Sequence, residues 1–159
     1  MEKQADDGAA VTTPNKSVLV SGASFAGLTT AYWLNRLGYK VTVVEIAKDL
    51  KKGGTPVNIG EEAKDILRRM GLFEQVQANR LKMEGIEFKN SDDVTEGAMR
   101  QQADAARADD GWEIERDTLL DITFGSVKDD VEFAFNNSIA ALDETANDIN
   151  VSFKDGSKR

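Results

Sequence analysis

The chain has 159 residues, a formal net charge of −8, 40% hydrophobic residues, no cysteine and no histidine. Its length allows one domain with a core, and its acidic balance offers no basic stripe to nucleic acid and no basic patch to a membrane surface. The two missing residue types exclude disulfides, thiolate or imidazole metal sites, a cysteine nucleophile and a Ser-His-Asp triad from these residues, so no metal site is expected.

Residues 1–16, "MEKQADDGAAVTTPNK", lack the apolar stretch of a secretory signal and read as a mobile polar tail. No apolar run approaches the length that spans a bilayer, and the chain reads as cytoplasmic. Ser17–Ser21 is a short apolar strand of the kind buried on both faces of a parallel sheet. Phe25–Leu37 has helical apolar spacing and ends at Gly38 as a C-cap, and Tyr39–Glu45 is a second, β-branched strand. Strand, glycine-rich turn, helix and strand within about 30 residues form a βαβ unit with parallel strands.

The stretch "AKDLKKGGTPVNIG" reads as a loop over most of its length. Glu61–Met70 is a helix with Ala63, Ile66, Leu67 and Met70 on its apolar face and Gly71 closing it, and "LFEQVQANR" adds a short helical piece. "MEGIEFKN" alternates as a strand, whereas Ser91–Asp110 is either an exposed connection or a weak helix. "WEIERDTLLDITFGSV" switches from strand to helix around Arg116, with Leu119, Leu120 and Ile122 to bury. Three strand-like pieces, "VEFAFN", "SIAALDET" and "INVSFKDG", then suggest an antiparallel β-meander, and Lys158 and Arg159 begin what looks like a further strand.

The turn "GASFAG" matches the dinucleotide fingerprint G-x-G-x-x-G except for Ser24 in place of the middle glycine. Gly22 suits a tight turn, and Gly27 lets the helix pack closely on the strand. The first helical amides, near Ser24 to Gly27, are suited to a pyrophosphate. Glu45 ends the second strand about 20 residues on, where a carboxylate can accept hydrogen bonds from a ribose diol and disfavours a 2′-phosphate. That pattern points to FAD or NAD. The bland alternative is a plain βα corner with Glu45 solvated at the strand end.

The blocks "VLVSGASFAGLTTAYWLNRLGYKVTVVE", "GGTPVNIGEEAKDILRRMGL" and "EIERDTLLDI" together resemble the N-terminal half of the FAD-dependent aromatic hydroxylases. These single-component flavoprotein monooxygenases include the para-hydroxybenzoate hydroxylases and the tetracycline-inactivating and polyketide-tailoring enzymes. The resemblance implies that residues 17–159 form the N-terminal part of a Rossmann-type α/β FAD-binding domain with an antiparallel β-meander, apparently incomplete at its C-terminus. It also implies that residues 83–112 begin the strands of a substrate domain. Gly22, Ser24, Phe25, Ala26 and Gly27 would hold the pyrophosphate of FAD, and Glu45 the adenosine ribose. Arg116 would lie along the FAD, its alternative being a surface salt bridge with Glu115 or Asp117. Asn58 would fall in a loop near the flavin ring, or serve as a plain turn asparagine. Lys51 and Lys52 stand where relatives often carry arginine.

The chemistry so implied uses NADPH or NADH to reduce FAD, then oxygen as a flavin C4a-hydroperoxide to hydroxylate an aromatic or polyketide-like small molecule. No residue of this chain stands out as catalytic. The partners expected are that substrate and a remaining part of the same protein or a second chain completing the fold, with no nucleic acid and no membrane. Two rival readings stay open: a non-catalytic nucleotide-binding module completed by a partner chain, and a portion of an NAD-dependent dehydrogenase.

Overall fold

The computed structural model describes residues 16–82, 85–100 and 112–159. The expected tail, residues 1–16, therefore lies outside the described residues except for Lys16, as does the part of the Ser91–Asp110 stretch beyond residue 100. The chain divides into two compact units, one drawn from Met1–Lys51 and Thr123–Arg159, the other being Lys52–Ile122.

The first unit is built on the expected βαβ start. β1 (Ser17–Ser21) and β2 (Lys40–Val44) pair in parallel, with Val20 opposite Val43, and α1 (Phe25–Arg36) connects them. α1 buries Leu28, Ala31 and Tyr32. Its C-cap is Leu37 rather than Gly38; Gly38, at φ +85°, is the left-handed residue after it, and Tyr39 N–H reaches back to Leu34 O at 3.1 Å. β1 is less buried than its composition suggests. It forms the edge of the sheet β1-β2-β7, and only the central strand buries Val41–Val44 throughout.

The third strand corrects the expected meander. β7 (Glu132–Ala134) pairs in parallel with β2, Val43 opposite Phe133, so it extends the Rossmann-type sheet. Only β8 (Ile139–Glu144) and β9 (Ile149–Phe153) make an antiparallel hairpin, with a register shift between Ile139 and Ala141. Val151 and Phe153 of this hairpin pack on Val44, with Leu19, Ala134 and Ile139 around them. Side chains alternate across the sheet. Leu19, Val44 and Ala134 therefore meet the hairpin, and Val20 lies on the opposite face, toward Gly27 of α1. Arg159 exchanges both backbone hydrogen bonds with Val151, at 2.7 and 2.9 Å, so the last residues do begin a further pairing.

Arg159 also closes a polar cluster on the hairpin face. Its guanidinium donates to both carboxylate oxygens of Glu132 and to Thr42 Oγ1 (2.7 Å), while Thr42 Oγ1 donates to Glu132 Oε2 (3.0 Å). These bonds satisfy the buried Thr42 hydroxyl. The Arg159 hydrogen bond holds the Glu132 carboxyl below its ordinary value, against a smaller opposing effect of desolvation. A carboxyl depressed on folding stabilises the native state above its unfolded pKa, and that contribution is lost as pH falls through the folded pKa. Glu132→Gln is therefore expected to flatten the acid side of a stability-against-pH curve below about pH 5. The effect stays small because both side chains are about half exposed. Urea titrations from pH 3 to 7 check it, and an unchanged acid limb would remove the pair from the stability of this unit.

In the second unit, β3 (Val57–Ile59) pairs antiparallel with β6 (Trp112–Ile114), so the expected loop ends in a strand. α2 (Glu61–Met70) and α3 (Phe73–Ala78) follow as expected. The buried face of α2 differs from its apolar pattern: Lys64, Leu67 and Met70 are buried, and Ile66 is 40% exposed. Lys64 is tolerated inside because its Nζ pairs with Glu61 Oε1 at 2.6 Å and sits 5.6 Å from the centre of the Trp112 ring. β4 (Gly85–Lys89) pairs antiparallel with β5 (Thr95–Arg100), so the start of the acidic stretch is neither helix nor loose connection. Asn90 Oδ1 accepts from the amides of Asp92 and Val94, both at 3.0 Å, and that side-chain turn reverses the chain. α4 (Arg116–Gly125), of which the residues up to Ile122 belong to this unit, begins where the strand-to-helix switch was expected, and Leu119, Leu120 and Ile122 are buried.

Candidate functional site

In open sheets of this type, ligands bind outside the carboxyl ends of the strands. In the first unit those ends are Ser21, Val44 and Ala134. Past Ser21 the ladder continues for one bond, Gly22 N–H donating to Val44 O at 2.7 Å. The chain then reverses at Gly22, φ +104°, a conformation that side chains rarely accept. Ser24 is the N-cap of α1 in extended geometry, and its hydroxyl makes no capping bond. Ser24 O accepts the first helical bond, from Leu28 N–H at 2.9 Å, so the amides of Phe25, Ala26 and Gly27 lie ahead of the helical ladder.

Gly27 has a sharper reason to be glycine than close packing on the strand. A Cβ built there would lie 1.9 Å from Gly22 O and 3.6 Å from Val20 Cγ1. The first turn of the helix rests directly on the carbonyl of the glycine that begins the reversal.

Glu45 lies one residue past β2. Its amide donates to Ala134 O at 3.0 Å, and its carbonyl accepts from Asn137 N–H at 3.0 Å. Its carboxylate turns back to the glycine-rich segment: Oε2 accepts from Ala23 N–H at 2.7 Å and Oε1 from Ala47 N–H at 2.9 Å. The expected strand-end acid is thus held within the turn, and the structure brings Gly22, Ser24, Phe25, Ala26, Gly27 and Glu45 to one end of one sheet.

Asn58 and Arg116 belong to the second unit. Asn58 is exposed in β3 opposite Glu113, so it is a strand residue, in neither the loop nor the plain turn that its two readings expected. Arg116 opens α4 and donates from Nη1 to Gly53 O at 3.2 Å, its Cδ standing 3.0 Å from where a Gly54 Cβ would be. Asp117 Oδ1 accepts from Gly53 N–H at 2.7 Å, and Lys52 Nζ pairs with Asp121 Oδ2 at 2.7 Å. The first turns of α4 therefore hold the Lys52–Gly54 loop through three side chains. Sequence reasoning gave no role to Asp121 and considered Asp117 only as a partner for Arg116. The available signal was their i, i+4 spacing, which places two carboxylates on one side of the helix.

A parallel sheet, a glycine reversal, a helix seated on it and an acid ending the second strand define a Rossmann-type dinucleotide-binding unit. The chain belongs to the pyridine nucleotide-disulphide oxidoreductase family, which it matches over residues 2–131. It is 34% identical over 146 residues to an uncharacterized protein of Mycobacterium tuberculosis, a match covering 91% of this chain and 39% of that protein. It is 32% identical over 142 residues to a flavin-dependent monooxygenase of Legionella longbeachae, covering 89% and 36% of the two. Among solved structures, the tetracycline destructase Tet(51) superimposes with a TM-score of 0.79 at 28% identity, over 92% of this chain and 36% of that one. The chain thus spans somewhat more than a third of the length of these relatives. Because its 159 residues contain no cysteine, they supply no thiol pair for the disulphide chemistry in the family's name.

Proposed function

We propose that this chain is the FAD-binding portion of a flavin monooxygenase that uses NADPH or NADH to hydroxylate an aromatic or polyketide-like small molecule. The observation that carries this reading is the Gly22–Gly27 reversal with the Glu45 carboxylate bonded into it. Its residues fit a dinucleotide. An added Cβ on Gly22 meets no protein atom within 4 Å, so backbone and ligand can approach closely there. A carboxylate has about four acceptor positions, and the two amides on Glu45 leave capacity for a ribose diol. A carboxylate at that place repels a 2′-phosphate, which favours FAD or NAD over NADP as the resident nucleotide. The name of the Legionella relative, a flavin-dependent monooxygenase, favours flavin between those two.

In this reading Gly22, Ser24, Phe25, Ala26 and Gly27 hold the pyrophosphate and Glu45 the adenosine ribose. Arg116 lies along the FAD as a permanently charged, planar donor, and Asn58 offers a neutral hydrogen-bonding group near the flavin. The bound flavin supplies hydride acceptance and oxygen activation. These residues bind and orient it, and none is asked to act as a nucleophile. Residues 17–159, with residues 83–112 at the start of a substrate domain, then belong to a larger FAD-binding protein working in the cytoplasm.

A second observation bears on partners. Ile86, Phe88 and Met99 lie on one face of the β4–β5 hairpin and are 49%, 54% and 58% exposed. Two strands with an uncovered apolar face are marginal in water. We propose that further polypeptide, of the same protein or a second chain, covers that face. The same feature supports the alternative of a non-catalytic nucleotide module completed by a partner.

The test is a titration of the purified chain with FAD, followed by flavin fluorescence and visible absorbance, with NAD as competitor. Weak, saturable FAD binding that NAD does not displace is expected of these residues alone. Preference for NAD would favour the dehydrogenase reading, and no binding of either nucleotide would overturn both.

A further inference from the structure

We infer that Glu45 is a positioning residue for the glycine-rich turn, in addition to the proposed ribose contact, and only the consequence for nucleotide affinity rests on that reading. Its carboxylate joins two segments that are separate in sequence. Oε2 takes the amide of Ala23, one residue after the φ +104° reversal, and Oε1 takes the amide of Ala47, in the segment leaving β2. Ala23 is 4% exposed, so without this acceptor its N–H would be a buried donor with no partner in the turn. The main chain of Glu45 is itself fixed on both sides, by Ala134 O and Asn137 N–H, so the carboxylate is delivered from an anchored backbone. A hydrogen bond to an ionised acceptor is stronger than one between neutral groups, and two such bonds define the turn before any nucleotide arrives. Ordering of the turn is then a cost of folding rather than of binding, which tightens the complex without a new ligand contact.

The geometry sets a requirement that a ribose contact alone does not. Both carboxylate oxygens must accept, each from a backbone amide. Glutamine keeps one acceptor oxygen and can still hydrogen-bond a diol, but its amide nitrogen faces an N–H and cannot accept. Glu45→Gln should therefore release Ala23 or Ala47 while leaving the strand pairing of β2 in place.

The experiment is residue-resolved amide hydrogen exchange by NMR on the nucleotide-free chain, wild type against Glu45→Gln, with FAD affinity measured separately. In the wild type both amides are expected to exchange at least about tenfold more slowly than free peptide, each lost factor of ten corresponding to about 1.4 kcal/mol. In the variant at least one of them should exchange about tenfold faster, with Val43 and Val44 unchanged. Free exchange of Ala23 and Ala47 in the wild type would overturn the inference without any variant. Unchanged protection in Glu45→Gln together with weaker FAD binding would overturn it too, leaving Glu45 as a ribose contact alone. If the exchange results are as expected and wild-type chain binds no FAD, the positioning role stands and the flavin assignment falls.

Discussion

Gly27→Ala is expected to destabilise the chain by roughly 3 kcal/mol, the upper part of the range for overpacking a filled site. The added methyl would lie 1.9 Å from Gly22 O, a backbone atom held by the neighbouring Gly22 N–H to Val44 O bond. A flexible side chain could swing away, whereas this carbonyl moves only if the reversal or the start of α1 moves with it. At the scale of a chain this size, that loss lowers the melting temperature by roughly 6–12 °C. FAD affinity should fall in parallel, because the shifted helix start carries the amides of Phe25 and Ala26 away from the proposed phosphate position. A thermal melt and an FAD titration of the same preparation check both. A wild-type melting temperature would show that the helix start tolerates a side chain, and would remove the close seating of Gly27 as the reason for its identity.

Gly22→Val is expected to separate the two readouts that Gly27→Ala moves together. At Gly22 an added Cβ meets no protein atom within 4 Å, so the penalty is torsional, from holding a β-branched residue at φ +104°. That penalty is about 1–3 kcal/mol. The branched side chain would, however, stand where backbone and pyrophosphate are proposed to meet. Losing two charge-assisted hydrogen bonds at their lower bound corresponds to roughly a 100-fold drop in FAD affinity. The expected result is thus a modest fall in melting temperature with a large fall in binding. Retained FAD affinity in a folded Gly22→Val chain would move the pyrophosphate away from this turn.

Much of the first unit is legible in the chain itself. The apolar run at Ser17–Ser21, the glycine pair, the helical spacing of Phe25–Leu37, the helix-closing Gly38 and the β-branched run Tyr39–Glu45 are each local signals, and the structure shortens the helix to Arg36 and the second strand to Lys40–Val44. Each concerns torsions and side-chain periods within a few residues, and they agree with one another. Glu45 was legible as the acid ending the second strand because its position follows from the length of that unit.

The sequence by itself therefore determined the βαβ start, the glycines of its reversal, the boundaries of α2 and the start of α4. Tertiary structure decided the rest, because each outcome depends on a partner outside the segment itself. "VEFAFN" reads equally well as one strand of a meander, and only its pairing with β2, some 90 residues earlier by the Thr42–Glu132 hydrogen bond, makes it parallel. "TEGAMR" has weak strand character and becomes β5 through its register with β4. Lys64 lies outside the apolar pattern of α2, and it is buried with Glu61 as its ion-pair partner and the Trp112 ring beside it. The Glu45 carboxylate meets Ala23, 22 residues away, only once the parallel strands have set their register. Local torsional preferences are written residue by residue, whereas pairing, burial and a carboxylate's choice of donors are settled by contacts that exist only after the chain has closed on itself.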